Sequence, residues 1–116
     1  MLAIAVAFGA FGAHILKNRL SGEMFEVFQT GVRYHFYHAL GLLATGAISL
    51  KMPGRLLNLS ALFLTAGILL FSGSLYTMAL TDIRWLGAIT PFGGLSFITG
   101  WVLLAVSALR INTGKQ

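Results

Sequence analysis

The chain has 116 residues, of which 57% are hydrophobic and 9% charged, and eight Lys/Arg against three Asp/Glu give a formal net charge of +5. A soluble domain ordinarily carries about 25% charged residues, so a chain this poor in charge, with a mean hydropathy of +0.84, suits lipid as its solvent. The basic residues form no stripe or block, which argues against nucleic acid as a partner, and the lack of cysteine excludes disulfides, thiolate metal sites and cysteine nucleophiles.

The length is that of one domain, residues 1–116. Apolar periodicity predicts an all-α fold, a bundle of four transmembrane helices at about residues 1–16, 32–50, 59–80 and 92–109. A spanning helix needs about 20 residues, which the last three segments supply and the first nearly does. Met1 enters apolar sequence with no basic lead, unlike a cleaved signal peptide. Between the first two segments, Met24, Phe25 and Phe28 alternate with Glu23, Glu26 and Gln29, which predicts a short amphipathic segment over about residues 21–30 lying in the headgroup region.

Lys51-Met52-Pro53-Gly54-Arg55 breaks the second helix and places charge in water. Asn58 is the expected N-cap of the third helix, and Thr90-Pro91 the expected N-cap and first position of the fourth. Short linkers make sequential helices antiparallel neighbours. One side of the membrane then carries Lys51, Arg55, Arg110 and Lys115, the other Lys17, Arg19, Arg33 and Arg84. Placing Arg33 inside a helix tips this even count towards both termini facing the cytoplasm.

Fourteen glycines call for a packing role, since the hydrophobic effect does not drive helices together in lipid and close approach through small residues does. Ala5, Gly9 and Ala13 share a face of the first helix, and Ser96 and Gly100 a face of the fourth; these are the expected helix-packing positions. Trp85, Tyr34 and Tyr37 fall near helix ends, where amphipathic rings settle. Trp101, midway along the fourth helix, reads as a packing residue.

The connectivity gathers His14, His35, His38, Tyr76, Asp82, Arg84 and Thr90 towards one leaflet, with Ser72 and Ser74 a turn or two deeper and the other half nearly bare of polar groups. His35 and His38 lie three apart, roughly on one helical face. An ionisable residue inside the membrane is a functional candidate, and the structural alternative is that His14 and His38 bond each other, a carbonyl or Tyr76 and so pin helices together. No metal or cofactor is expected: imidazole is the right ligand, but carboxylates are scarce and thiolates absent. Ser72 and Ser74 lack a Gly-x-Ser-x-Gly elbow, which argues against a hydrolase. All three acids, Glu23, Glu26 and Asp82, fall in expected loops, so a proton-driven carrier would lack the membrane-buried acid such carriers usually use.

Taken in order, Gly9-Ala10-Phe11-Gly12-Ala13-His14, then Gly31-Val32-Arg33-Tyr34-His35 running into His38-Ala39-Leu40-Gly41-Leu42-Leu43, resembles the YgdD-like membrane proteins. That is the domain-of-unknown-function 423 family, similar to eukaryotic transmembrane protein 256. Phe71-Ser72-Gly73-Ser74-Leu75-Tyr76, Thr90-Pro91-Phe92-Gly93-Gly94 and Gly100-Trp101 look like the same family, so the resemblance covers nearly the whole chain. It implies a four-helix bacterial inner-membrane protein with no activity to carry over. It makes His14, Arg33, Tyr34, His38, Ser72, Ser74, Tyr76 and Pro91 the positions to test first. Relatives usually have a longer lead into the first motif, which implies a shortened start here and leaves the first helix boundary open.

The expected function is that of a non-enzymatic membrane protein, an accessory subunit of a larger complex or a self-associating bundle, with membrane lipids as its other partners. The rival expectations are a small oligomeric transporter or channel, and a binder of lipid, quinone or haem on the polar side.

Overall fold

The computed structural model describes residues 1–112, apart from the side chains of Ala13, Ile111 and Asn112. Helix α1 covers Leu2–His14, α2 Gly22–Lys51, α3 Arg55–Thr81 and α4 Thr90–Asn112, with no strand among the described residues. Short 3₁₀ turns at Leu16–Asn18 and Arg84–Ala88 close the α1–α2 and α3–α4 connections. Ala13, one of the expected packing residues, and Lys115 of the charge count lie outside what is described.

The expected interfacial segment over residues 21–30 is the start of α2, not a separate element. Ser21 caps it, its Oγ accepting from the Met24 N–H at 3.2 Å, and nothing between Thr30 and Val32 breaks the backbone ladder. The result is a helix of 30 residues, about 45 Å long at 1.5 Å per residue. That exceeds the hydrocarbon thickness of a bilayer, about 30 Å.

Helix α3 starts one turn earlier than expected. Gly54, extended at φ −168°, is its N-cap, and Asn58 lies inside the first turns, its N–H bonded to the Gly54 carbonyl. In α4, Thr90 is the first helical residue rather than the cap, a displacement of one position, within the fraying of helix ends. Asp82 ends α3 in the left-handed region at φ 57°, a conformation its short polar side chain tolerates.

The largest departure lies inside α3. Its Arg55–Gly67 and Gly73–Thr81 parts are α-helical, but Ile68–Ser72 widens into a π turn, in which the Gly73 N–H reaches back to the Ile68 carbonyl. A π turn holds an extra residue and rotates the remainder of the helix about its axis. Here it sets Phe71 against Gly93 of α4 and Ser72 against Gly31 of α2.

The helices pack antiparallel in sequence order into a flattened bundle of 53 × 26 × 14 Å. Two apolar clusters hold it. Leu16, Phe28, Val32, Tyr76 and Ala79, flanked by Phe8 and Phe36, join α1, α2 and the end of α3. Ala39, Leu64, Ile68 and Phe97 join α2, α3 and α4. Two helical stretches, Arg55–Thr81 and Arg84–Arg110, are long and apolar enough to cross a membrane, and Leu2–Gly12 is a shorter apolar helix. The outer faces stay apolar as well, with Leu62, Leu69, Phe92, Leu95, Ile98 and Leu109 all exposed.

Candidate functional site

Helix crossings set the geometry around the polar residues. Ala5 of α1 is fully buried, and a Cβ on Gly9 would touch Val32 and Phe36 of α2. Gly12 continues that face, lying under the Phe28 ring. On α4, the Ser96 hydroxyl donates to the Phe63 carbonyl at 2.6 Å, and a Cβ on Gly100 would meet Leu64 at 2.8 Å. Both expected packing positions of α4 therefore face α3. Gly93 lies so close to the Phe71 backbone that no Cβ fits between them, and Gly67 lies under the Phe97 ring.

The buried serines use these crossings. Ser72 donates to the Gly31 carbonyl at 2.8 Å, and Ser60 to the Gly100 carbonyl at 2.7 Å. Both acceptors are glycines, whose missing Cβ lets a neighbouring helix approach the backbone carbonyl closely. Ser74 and Thr90 bond each other at 2.7 Å and tie α3 to the start of α4; this is the partner of the Thr90 hydroxyl, in place of its own helix N-terminus. The threonines elsewhere bond back within their helix, as Thr45 does to Gly41 and Thr65 to Ala61, which satisfies a hydroxyl in an apolar medium without a neighbour.

Among the histidines, the expected tie through Tyr76 is present but belongs to His35. His35 Nδ1 lies 2.9 Å from the Tyr76 hydroxyl, and its Nε2 is buried without a hydrogen-bond partner among the described residues. Tyr76 is stacked on Phe8 at 4.6 Å and tilted over Phe28 at 5.1 Å, and its ring crosses Gly31. His38 Nδ1 donates to the Tyr34 carbonyl at 2.6 Å, and its ring stacks on Phe97 with 3.4 Å between centroids. Tyr34 lies between His38 and Phe71, stacked on the latter at 4.5 Å.

Three expected members do not join this group. His14 is exposed at the end of α1, where a basic group suits the negative end of the helix dipole, and it bonds neither His38 nor Tyr76. Arg33 is exposed and donates to the Thr30 hydroxyl at 3.1 Å. Pro91 is exposed in the first turn of α4. Among the described residues no three His, Asp or Glu side chains converge.

At the outer edge Arg84 pairs with Glu23 at 2.7 Å and lies 3.5 Å from Asp82. The Arg84 guanidinium holds the Glu23 carboxyl below its usual range, and the carboxylates in turn raise Arg84. Sequence reasoning missed Glu23 as this partner because it treated residues 21–30 as a detached segment, when α2 carries Glu23 rigidly to the α3–α4 turn. It also missed the polar groups of the opposite half, where Ser60, Thr45 and Ser107 are buried. Serines four and three residues from small or apolar neighbours read as ordinary helix positions, and only Gly41 and Gly100 hinted at crossings there.

The sequence matches the family described as protein of unknown function (DUF423) over residues 8–94. The chain belongs to that family. Among its relatives are a UPF0382 membrane protein, YwdK, from Bacillus subtilis, 44% identical over 92% of this chain and 88% of the relative, and another from Staphylococcus saprophyticus, 48% identical over 93% and 89%. The UPF0382 inner membrane protein YgdD of Escherichia coli is 40% identical over 94% of this chain and 83% of its own length. No solved structure matches this chain. The relatives' names agree with the apolar surface in making this a membrane protein of a family whose function is unknown.

Proposed function

We propose that the chain is a four-span protein of the bacterial inner membrane, without catalytic activity, that works by association: an accessory subunit of a larger membrane complex or a self-associating bundle. The observation that supports this reading is the use of its buried hydroxyls. Ser60, Ser72, Ser74 and Ser96 are all engaged in ties between helices, and the outer faces offer apolar side chains instead. Helix α2 counts as a span because its two histidines point inward; they and Tyr34 and Tyr37 lower its hydropathy without adding a charge to the lipid face. Both termini are placed in the cytoplasm, with Lys51, Arg55 and Arg110 at the same end.

The test is gentle extraction from native membranes followed by native mass spectrometry. A reproducible particle containing a larger protein or several copies is the expected result. A lone monomer under every mild condition would overturn the reading.

One observation favours a second reading, a small oligomeric carrier: His35 Nε2 is buried and unpaired, a place from which a proton can be passed on. His35→Gln would then abolish flux in proteoliposomes, and unchanged flux would remove that reading.

A further inference from the structure

Among the described residues, the helix ties leave one buried side-chain nitrogen without a partner, Nε2 of His35, on a residue only 2% exposed. The other ring nitrogen fixes what that atom has to offer. Nδ1 lies 2.9 Å from the Tyr76 hydroxyl, and either group can be the donor. If Nδ1 donates, the Tyr76 proton and the Nε2 lone pair are both left over, since the hydroxyl makes no other hydrogen bond among the described residues. If Tyr76 donates, Nε2–H alone is left over. Buried polar groups avoid going unbonded, so the second arrangement holds and His35 presents a donor. His38 is the opposite tautomer, because its Nδ1 bonds the Tyr34 carbonyl at 2.6 Å and a carbonyl only accepts.

The His35 donor adjoins a cleft. Ala39 and Leu42 follow His35 at four and seven residues, on one face of α2. With Leu43 they form one wall of an open apolar cleft of about 440 Å³, whose other wall is Met1, Leu2 and Ala3 at the start of α1. That volume falls within the range of ligand pockets, about 300–1,000 Å³. Met1 connects the two features, since it lines the cleft and its backbone lies against the His35 ring. The Met1 carbonyl accepts from the Ala5 N–H at 3.0 Å and forms no hydrogen bond with Nε2. Its side chain is unbranched and 39% exposed, a flexible cover over the ring.

No charged side chain lines the cleft. An ionised headgroup would enter apolar surroundings with no charged side chain to pair it, which is costly. A desolvated N–H beside an apolar trough suits an uncharged acceptor oxygen carried on an apolar body.

We infer that His35 and this cleft bind a membrane-soluble lipid with an uncharged carbonyl group. The carbonyl oxygen accepts from Nε2–H, and the apolar body lies along Ala39, Leu42 and Leu43. Two kinds of molecule carry that chemistry, a prenylquinone and a neutral acyl ester. The site uses the nitrogen of the carrier reading but asks of it a hydrogen bond and no proton transfer, and it is independent of association.

The test uses the full chain in detergent with ¹⁵N-labelled histidine. Its probes are a short-chain prenylquinone, a fatty acid methyl ester, the free fatty acid and an alkane of matched length. Binding is read by native mass spectrometry and the ring nitrogens by NMR. Before any probe is added, His35 should be the Nε2–H tautomer and His38 the Nδ1–H tautomer. The quinone, the ester or both should then move the His35 Nε2–H resonance, and the alkane should not. His35→Phe should weaken binding about fivefold or more, the size of one neutral hydrogen bond. Leu43→Trp, which fills the cleft from an exposed position, should weaken it with His35 intact, and Lys51→Gln should leave it unchanged. A response to the quinone alone names a quinone site, and a response to the ester alone names an acyl site. A resonance that neither carbonyl probe moves, or binding that survives either site variant, overturns the proposal. Tighter binding of the ionised fatty acid than of its ester overturns the uncharged head. If His35→Phe fails to fold, Leu43→Trp and the NMR shift of the unaltered chain decide the case. Neither flux nor particle size enters these readouts, so this proposal and the readings above fail separately.

Discussion

His35 and His38 sit one turn apart on α2, yet their rings do different things. His38 donates to the carbonyl one turn back and stacks on Phe97, whereas His35 reaches another helix through Tyr76. Tyr76→Phe would leave Nδ1 of His35 without its partner. It should cost about 1–3 kcal/mol, the penalty of a buried polar group stranded by loss of its partner, measured by unfolding in mixed micelles. His35→Phe with Tyr76→Phe should cost less than the sum of the single changes, since no polar group is then left stranded. An exposed ion pair has weaker consequences. Glu23 has a folded-state carboxyl held below its ordinary 4.5 by Arg84, so the stability it contributes is present above the unfolded value and is lost as pH falls through the folded one. The part of thermal stability that Glu23 contributes should fall by a small increment as pH drops below 4.5. Glu23→Gln should remove that increment, and raised salt should shrink it, because both side chains are more than half exposed.

At the scale of elements, glycines decide which crossings form. Gly93 meets the Phe71 backbone, while a Cβ on Gly94, the next residue along, meets nothing within 4 Å. Gly93→Ala should therefore destabilise by about 1–3 kcal/mol through forced separation of α3 and α4. Gly94→Ala should be neutral, or stabilising by up to about 1 kcal/mol from helix propensity. Equal effects on chemical or thermal unfolding would contradict the packing described. Helix existence and the packing face of α1 were legible from apolar runs and the spacing of Ala5 and Gly9. The π turn at Ile68–Ser72 was not, because it answers tertiary demands: Phe71 must meet Gly93 while Ser72 meets Gly31, and no local pattern records both. The start of α2 was misread because an amphipathic stretch continuing into an apolar one looks alike whether or not the helix bends between them.

Across the whole molecule, the polar residues are sorted by role. The half holding His35, Tyr76, Ser72 and Thr90 was legible, since connectivity alone brings those residues to one side. His14 fell outside it because α1 ends there with its side chain turned outward, which spacing from a distant histidine cannot reveal. The buried serines of the other half were invisible for a similar reason: a serine in an apolar helix carries no mark of whether it faces a carbonyl, a cleft or lipid. The whole is a thin apolar slab held by internal polar ties, and the central claim is that all four helices cross the membrane with alternating turns. The chain has no cysteine, so single cysteines can be placed at Asn18, Met52 and Ile83, one in each connection, and labelled in intact cells with a reagent that does not cross the membrane. The account predicts that Asn18→Cys and Ile83→Cys are labelled from outside and that Met52→Cys is labelled only after the membrane is opened. Labelling of Asn18→Cys and Met52→Cys from the same side would contradict it.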